Sequence, residues 1–149
     1  MNDFEKERKW HHYFLQIAKV VSTASKDPST KCGAVIVDKK RRIVSTGYNG
    51  FPKGDKDFEH EYLDRELKYQ KVVHAEINGI LFAKCDLEGF TLYTWPLLPC
   101  TNCAKHIAQT GISLCVAPKI PKSKIERWGE DIKLTKERFT QWGIGFLEL

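Results

Sequence analysis

The sequence predicts an α/β protein, a three-layer α/β/α sandwich built around a mixed sheet of about five strands. Its 149 residues, 42% of them hydrophobic, suffice for one core, so we expect a single domain over 1–149. Two neighbouring strand patterns in the first third predict an antiparallel hairpin, and helix and strand patterns alternate after residue 72. Such alternation is typical of parallel strands joined by helical crossovers.

The first predicted helix covers residues 3–25. Large and small apolar residues recur along it at three- and four-residue steps: Trp10, Phe14, Ile17, Val21 and Ala24. Asn2 or Asp3 can cap its start, and Asp27 and Pro28 predict its end.

A β-hairpin is predicted next. Short branched apolar runs at 34–38 and 43–48 flank the basic residues 39–42, which form the turn. We expect Asn49 and Gly50 to turn the chain again, because both residue types tolerate a positive φ.

The remaining sequence divides into a charged insertion and a regular second half. Residues 51–71 carry charges of both signs and few aliphatic side chains, so we expect a surface insertion that ends in a short helix. Its length favours a role in binding or assembly. After it, the patterns predict helices over 73–84, 100–110 and 131–142 and strands over 90–95, 112–117 and 144–149.

The composition argues against several classes of protein. No run of about 18 apolar residues is present and no secretory signal is evident, so we expect a cytoplasmic protein without a membrane-spanning segment. The net charge, 24 − 19 = +5, suits an anionic ligand or a merely solvated surface, and falls short of the basic stripe of a duplex-DNA binder. Five cysteines in such a chain favour metal binding, catalysis or burial over disulfides.

One cysteine pair and one histidine predict a metal site. Cys100 and Cys103 are spaced C-x2-C at the start of a predicted helix, where free backbone N–H groups and the helix dipole favour thiolates. His74 opens another predicted helix and completes three ligands of the types that zinc prefers. Because no fourth protein ligand is evident, we expect a catalytic zinc site with an open position; a structural zinc clip is the alternative.

Glu76 is the candidate proton carrier at this site. A carboxylate beside the metal, but not bound to it, can move protons between an activated water and a substrate. Two residues span about 200° around a regular helix, so His74 and Glu76 share a site only if His74 precedes the regular helix. The combination of H-x-E with P-C-x-x-C is the signature of zinc deaminases.

The chain resembles the deoxycytidylate (dCMP) deaminase family, of the cytidine deaminase-like fold, along nearly its whole length. The resemblance is carried by DPSTKCGAVIV at 27–37, GYNGFPKG at 47–54, KYQKVVHAEINGIL at 68–81 and TLYTWPLLPCTNCAKHIAQTGI at 91–112. It implies zinc-dependent hydrolysis of dCMP to dUMP and ammonia. The implied site has Glu76 as proton shuttle and three ligands to a catalytic Zn²⁺: His74, Cys100 and Cys103.

Contacts with the nucleotide are expected at three places. Resemblance to related deaminases implies that the amide of Asn49 contacts the base or sugar, although an Asn-Gly turn needs no ligand. A compact polar and basic loop can hold the 5′-phosphate, or can be a solvated turn: Lys26, Ser29, Thr30 and Lys31. Tyr69 can line the pocket or pack against the helix.

The resemblance also implies regulation and assembly. Family members are often activated by dCTP and inhibited by dTTP, with Mg²⁺ accompanying the triphosphate. The segment implicated is Gly47, Tyr48, Asn49 and Gly50. We therefore expect dCTP and dTTP as effectors, a homo-oligomer such as the hexamer common in the family, and no stable complex with nucleic acid. The alternative is a deaminase of tRNA adenosine or single-stranded cytosine, against which the modest charge and the acidic segment 55–66 argue.

Overall fold

A computed structural model describes all 149 residues and confirms the α/β architecture. The elements, in chain order, are α1 (Asp3–Ser22), β1 (Gly33–Val37), β2 (Ile43–Tyr48), α2 (Glu59–Leu63), α3 (Arg65–Lys71), α4 (Ala75–Ala83), β3 (Thr91–Trp95), α5 (Thr101–Thr110), β4 (Leu114–Ala117), α6 (Lys122–Trp142) and β5 (Gly145–Glu148). The strands form one sheet in the order β2-β1-β3-β4-β5. β1 is antiparallel to both β2 and β3, whereas β3, β4 and β5 are parallel, so the predicted mixed sheet is confirmed.

The two faces of the sheet are covered by different helices. Side chains alternate along a strand, and all five residues of β1 are buried. Val35 and Val37 pack with Phe14 and Ala18 of α1 in one apolar cluster. Ala34 and Ile36 belong to a larger cluster with side chains of α4, α5 and α6. Three layers follow from this division, and the helices that bear the predicted metal ligands lie in the layer opposite α1.

The first helix is shorter than its sequence pattern predicts. Asn2 and Glu5 form a reciprocal capping box, in which each side chain accepts a hydrogen bond from the other residue's backbone N–H. The helix ends at Ser22 rather than at residue 25. The hydroxyls of Ser22 and Thr23 donate to the carbonyls of Lys19 and Val20, at 2.5 and 2.6 Å, so side chains satisfy carbonyls at the end of the helix.

The prediction that Asn49 and Gly50 turn the chain with positive φ values was wrong, because neither residue has a positive φ. Gly50 instead exchanges two backbone hydrogen bonds with Val73, of 3.1 and 2.8 Å. The chain after β2 therefore stays extended and pairs with the residues just before α4. Contacts distant in sequence override the local turn preference here.

Two further segments differ from prediction. α6 begins at Lys122 rather than at 131, and the apolar spacing of Ile125, Trp128 and Ile132 is the signal that extends it. The charged insertion contains two short helices where one was expected. None of the helices has the length and apolar character needed to cross a membrane.

Candidate metal centre and active-site cleft

His74 lies at the start of α4 in an extended conformation, with φ −69° and ψ 154°. It is the N-cap residue, so the regular helix begins only at Ala75. This confirms the geometry that the H-x-E spacing requires. The imidazole of His74 and the carboxylate of Glu76 can face one site because Glu76 lies in the regular helix whereas His74 precedes it, so the 200° separation of two helical residues does not apply to this pair.

The two cysteines occupy the first turn of α5. Cys100 is the N-cap, and its Sγ accepts a hydrogen bond from the backbone N–H of Cys103 at 3.4 Å. Asp131 of α6 accepts hydrogen bonds from the backbone N–H and the hydroxyl of Thr101, at 3.2 and 2.9 Å. A carboxylate from another helix thus fixes the turn that carries both thiols.

Three potential ligand atoms converge at this point. His74 Nδ1 lies 3.2 Å from Cys103 Sγ and 3.4 Å from Cys100 Sγ, and all three atoms are within 4.8 Å of one another. Tetrahedral zinc with ordinary bond lengths separates a nitrogen from a sulfur ligand by about 3.6 Å, so the donor set fits zinc in both chemistry and spacing. No other group of three histidine, cysteine or acidic side chains in the chain is arranged to hold a metal.

The environment favours one thiolate at this centre even before a metal is considered. The hydrogen bond between the two thiols lowers the pKa of Cys100, and the same contact raises the pKa of Cys103. The hydrogen bond with Cys100 also raises the pKa of His74 above its usual value. A thiolate beside an imidazole is an electron-rich pair suited to a soft divalent cation.

Glu76 lies beside the three donor atoms without belonging to their cluster. Its side chain is buried, and burial raises the pKa of its carboxyl group. The Cys103 thiol lies within hydrogen-bonding reach of the carboxylate. A carboxyl group with a raised pKa exchanges protons more readily near neutral pH than an exposed one does.

A cleft runs from this centre to the protein surface. Its floor contains the buried Glu76 beside the partly buried His74 and Cys100. Four side chains form apolar walls: Leu97, Leu98, Trp128 and Ile132. Polar side chains also line it: Asp27, Ser29, Thr30, Asn49, Lys68, Tyr69 and Arg127. The cleft can therefore hold a flat apolar ring near the donor atoms and a polar group near solvent.

The structure brings four predicted substrate contacts to the cleft, namely Asn49, Ser29, Thr30 and Tyr69. The amide of Asn49 is already engaged. Its oxygen accepts from the backbone N–H of Cys32 at 2.8 Å, and its nitrogen donates to the carbonyl of Thr30 at 2.9 Å. Asn49 thus shapes the loop before β1 as well as facing the cleft.

Lys26 and Lys31 do not line the cleft, contrary to expectation. Lys26 is mostly exposed and pairs with Asp57 of the insertion at 3.2 Å. The ammonium group of Lys31 donates to the carbonyl of Ser25 within its own loop. Both cations are held by partners away from the cleft, which the sequence spacing does not reveal.

The segment Gly47–Gly50 follows the sheet-facing side of α4, where Gly47 meets the helix backbone, and of its residues only Asn49 lines the cleft. A Cβ atom on Gly47 would lie 2.4 Å from both Ala75 O and Gly79 N, so only glycine permits this approach. Tyr48 is half exposed, and its carbonyl accepts from Asn78 Nδ2 at 2.8 Å.

Sequence reasoning missed two cations of the cleft. Lys68 forms an ion pair of 2.7 Å with Asp27, whose side chain is 2% exposed. Arg127 of α6 donates to the Tyr69 hydroxyl at 2.9 Å, and its guanidinium lies 4.9 Å from the Trp128 ring centre. Lys68 precedes Tyr69, which was predicted, but nothing local marks Arg127, because the first part of α6 was not expected to be helical.

Comparison with known proteins identifies a family and several relatives that this chain resembles. The family described as "Cytidine and deoxycytidylate deaminase zinc-binding region" matches residues 8–118. An uncharacterized deaminase from the luxG 3′ region of Aliivibrio fischeri is 48% identical over 136 residues, covering 91% of this chain and 90% of that protein.

The human deoxycytidylate deaminase is 39% identical over 112 residues, covering 70% of this chain and 61% of the human protein. The chain spans only 56–61% of the length of the animal relatives that it matches. Superposition on the crystal structure of dCMP deaminase from cyanophage S-TIM5 covers 100% of both chains, with a TM-score of 0.74 and 20% sequence identity. This similarity supports the fold.

Proposed function

Because the chain belongs to the cytidine and deoxycytidylate deaminase family, which is zinc-binding, we propose that it hydrolyses dCMP to dUMP and ammonia. Relatives that bear the name deoxycytidylate deaminase support this choice of substrate. The observation that carries the proposal is the buried Glu76 carboxyl group beside three convergent donor atoms. We propose His74, Cys100 and Cys103 as the ligands of one catalytic zinc ion.

In the proposed reaction the bound zinc activates a water molecule and Glu76 transfers protons. When bound, zinc lowers the pKa of a coordinated water to about 7 and so makes a nucleophile available near neutral pH. Glu76 accepts the proton that water loses on adding to C4 of the cytosine ring and delivers it to ring N3. Glu76 next accepts the proton of the hydroxyl group now bound to C4 and gives it to the amino group, so that ammonia leaves as the C4–N bond breaks and the C4 carbonyl forms.

The cleft orients the base for this chemistry. Leu98 and Ile132 are buried apolar side chains that exclude water from the ring, and Asn49 borders the same space. In the first turn of α5 the backbone N–H groups of Thr101 and Cys103 are engaged within the chain, which leaves that of Asn102 to stabilise the charge that develops at the reacting centre. The thiol of Cys32 also lines the cleft, and burial raises its pKa to about 12, so it remains a neutral side chain.

The proposal includes regulation by nucleotides. We propose that dCTP, bound with Mg²⁺, activates the enzyme and that dTTP inhibits it, through Gly47–Gly50 and within a homo-oligomer such as a hexamer. The hydrogen bonds of this segment with Asn78 and Val73 support the route, because both partners adjoin the end of α4 that carries His74. A ligand that displaces the segment would displace that end of the helix.

Initial rates of ammonia release from the zinc-loaded protein test the activity. We expect dCMP to be deaminated far faster than deoxycytidine, with sigmoidal kinetics that become hyperbolic when dCTP and Mg²⁺ are added. Lack of turnover of dCMP by protein that contains zinc would overturn the activity. Indifference to dCTP and dTTP would remove the regulation alone, and deamination of a labelled single strand would favour the polynucleotide alternative.

A further inference from the structure

The exposed end of the cleft carries one cation that no acidic side chain neutralises. Two positively charged side chains line the cleft, Lys68 and Arg127. Lys68 is bound by Asp27 at 2.7 Å, whereas Arg127 takes part in no ion pair of the chain. The Arg127 guanidinium contacts the neutral Tyr69 hydroxyl and the face of the Trp128 ring. The guanidinium therefore keeps free N–H donors and a full charge.

The gradient of burial sets the direction in which a nucleotide enters. Glu76 on the floor is 8% exposed, whereas Tyr69 is 56% exposed and Arg127 is also exposed. The cytosine ring must reach the floor to react, so a 5′-phosphate, which is strongly hydrated, remains towards the exposed end. The free guanidinium lies in that region of the cleft.

The neighbours of Arg127 hold its side chain in place. The hydrogen bond to Tyr69 joins α6 to α3 of the insertion, and the Trp128 ring supports the guanidinium. Ser29 and Thr30 border the same cleft, and their hydrogen bonds within the chain use the backbone N–H of Ser29 and the carbonyl of Thr30 rather than the hydroxyl groups. An oxyanion at this end would meet a fixed cation and uncommitted hydroxyl donors.

We propose that Arg127 binds the 5′-phosphate of the substrate, with Tyr69 positioning the guanidinium, and thereby selects nucleotides over nucleosides. This inference rests on the proposed deamination of dCMP and adds the residue that determines its specificity. A planar guanidinium can donate two parallel hydrogen bonds to one phosphate, which a lysine cannot do. The proposal replaces Lys26 and Lys31, whose ammonium groups are held elsewhere.

The test compares Arg127→Gln with the wild-type protein on dCMP and on deoxycytidine. We expect kcat/KM for dCMP to fall by about tenfold or more, mainly through KM, because a hydrogen bond to a charged group is lost. The value for deoxycytidine should change less than about twofold, since the nucleoside has no phosphate. For Arg127→Lys we expect a kcat/KM for dCMP between those of the wild-type protein and Arg127→Gln, because lysine keeps the positive charge but loses the paired N–H donors.

Lys26→Gln is the matched control, because it also removes one positive charge but from a side chain outside the cleft. It should leave both substrates unaffected. Tyr69→Phe should raise KM for dCMP by a smaller factor, because it removes only the positioning hydroxyl. Equal losses on both substrates in Arg127→Gln, or no loss on dCMP, would overturn the proposal.

Calorimetric binding separates this inference from the proposed function. We expect dUMP to bind the wild-type protein more tightly than deoxyuridine does, and Arg127→Gln to abolish that difference while zinc content and melting temperature stay unchanged. If the zinc-loaded protein does not turn over dCMP yet shows this binding difference, the activity is wrong and the phosphate contact stands. If Arg127→Gln still binds dUMP more tightly than deoxyuridine by the wild-type factor, Arg127 does not contact the phosphate, whether or not the protein deaminates dCMP.

Discussion

Glu76 illustrates how neighbouring groups set the chemistry of one residue. Burial raises the pKa of its carboxyl group, whereas the charge of His74 and a hydrogen bond from Cys103 lower it. Burial is the largest of these influences, so the net pKa is raised. A carboxyl group whose pKa approaches the working pH can both accept and donate a proton, as hydrolytic deamination requires.

At the residue scale, Glu76→Gln should keep zinc and lose activity. The amide has nearly the shape of the carboxyl group but cannot carry protons, so we expect kcat to fall by about 10²-fold or more. Zinc content measured by metal analysis should remain one ion per chain, because Glu76 lies outside the donor cluster. Glu59→Gln, at an exposed site in α2, is the control and should retain full activity. Loss of zinc in Glu76→Gln would show that the carboxylate is a ligand.

At the scale of elements, the site is assembled by helices that hold one another's first turns. Asp131 of α6 caps α5, and Thr135 of α6 donates to the carbonyl of Pro99 at 2.8 Å. The start of α4 is held by β2 and by the bridge between Gly50 and Val73. The insertion contributes to the cleft through α3, which supplies Lys68 and Tyr69 to its lining. Within the insertion, the Phe51 ring stacks on the Tyr62 ring with 3.8 Å between the ring centres.

Gly47→Ala should disturb α4, because the new Cβ would meet two backbone atoms of that helix at 2.4 Å. Overpacking of this kind costs about 1–3 kcal/mol, so we expect lower stability in chemical denaturation and weaker zinc binding. Gly129→Ala is the matched control within α6, where the nearest atom to the new Cβ is a side-chain methyl group at 3.4 Å. Gly129→Ala should leave the free energy of unfolding unchanged or raise it by up to about 1 kcal/mol, because alanine favours the helix more than glycine does. Equal stability of the two variants would contradict the close approach of β2 and α4.

At the scale of the whole molecule, the proposed zinc ion joins two helices of one layer. Its ligands come from the start of α4 and from the first turn of α5, so one ion ties together elements far apart in the sequence. Both helices pack on the same large apolar cluster, which includes Ala75, Cys103 and Ala104. Metal binding to the folded state should therefore stabilise the domain.

Removal of zinc by a chelator should lower the melting temperature, and added zinc should restore it. At a metal concentration 100 times the dissociation constant the stabilisation is about 2.7 kcal/mol, which corresponds to several degrees in a chain of this size. Cys103→Ser should lose both bound zinc and this shift. Cys85→Ser is the control, because Cys85 is exposed and lies outside the donor cluster. A zinc-dependent melting shift that survives in Cys103→Ser would place the metal elsewhere.

The sequence by itself determined the order of the main elements, the mixed sheet and the side chains that meet at the metal centre. These features are local: apolar periodicity marks each element, and the two motifs each place their residues at a helix start. Only the tertiary structure decided which cations face the cleft. Arg127 meets Tyr69 from 58 residues away, and Lys26 is paired with Asp57, so the electrostatics of the cleft depend on contacts that no local pattern encodes.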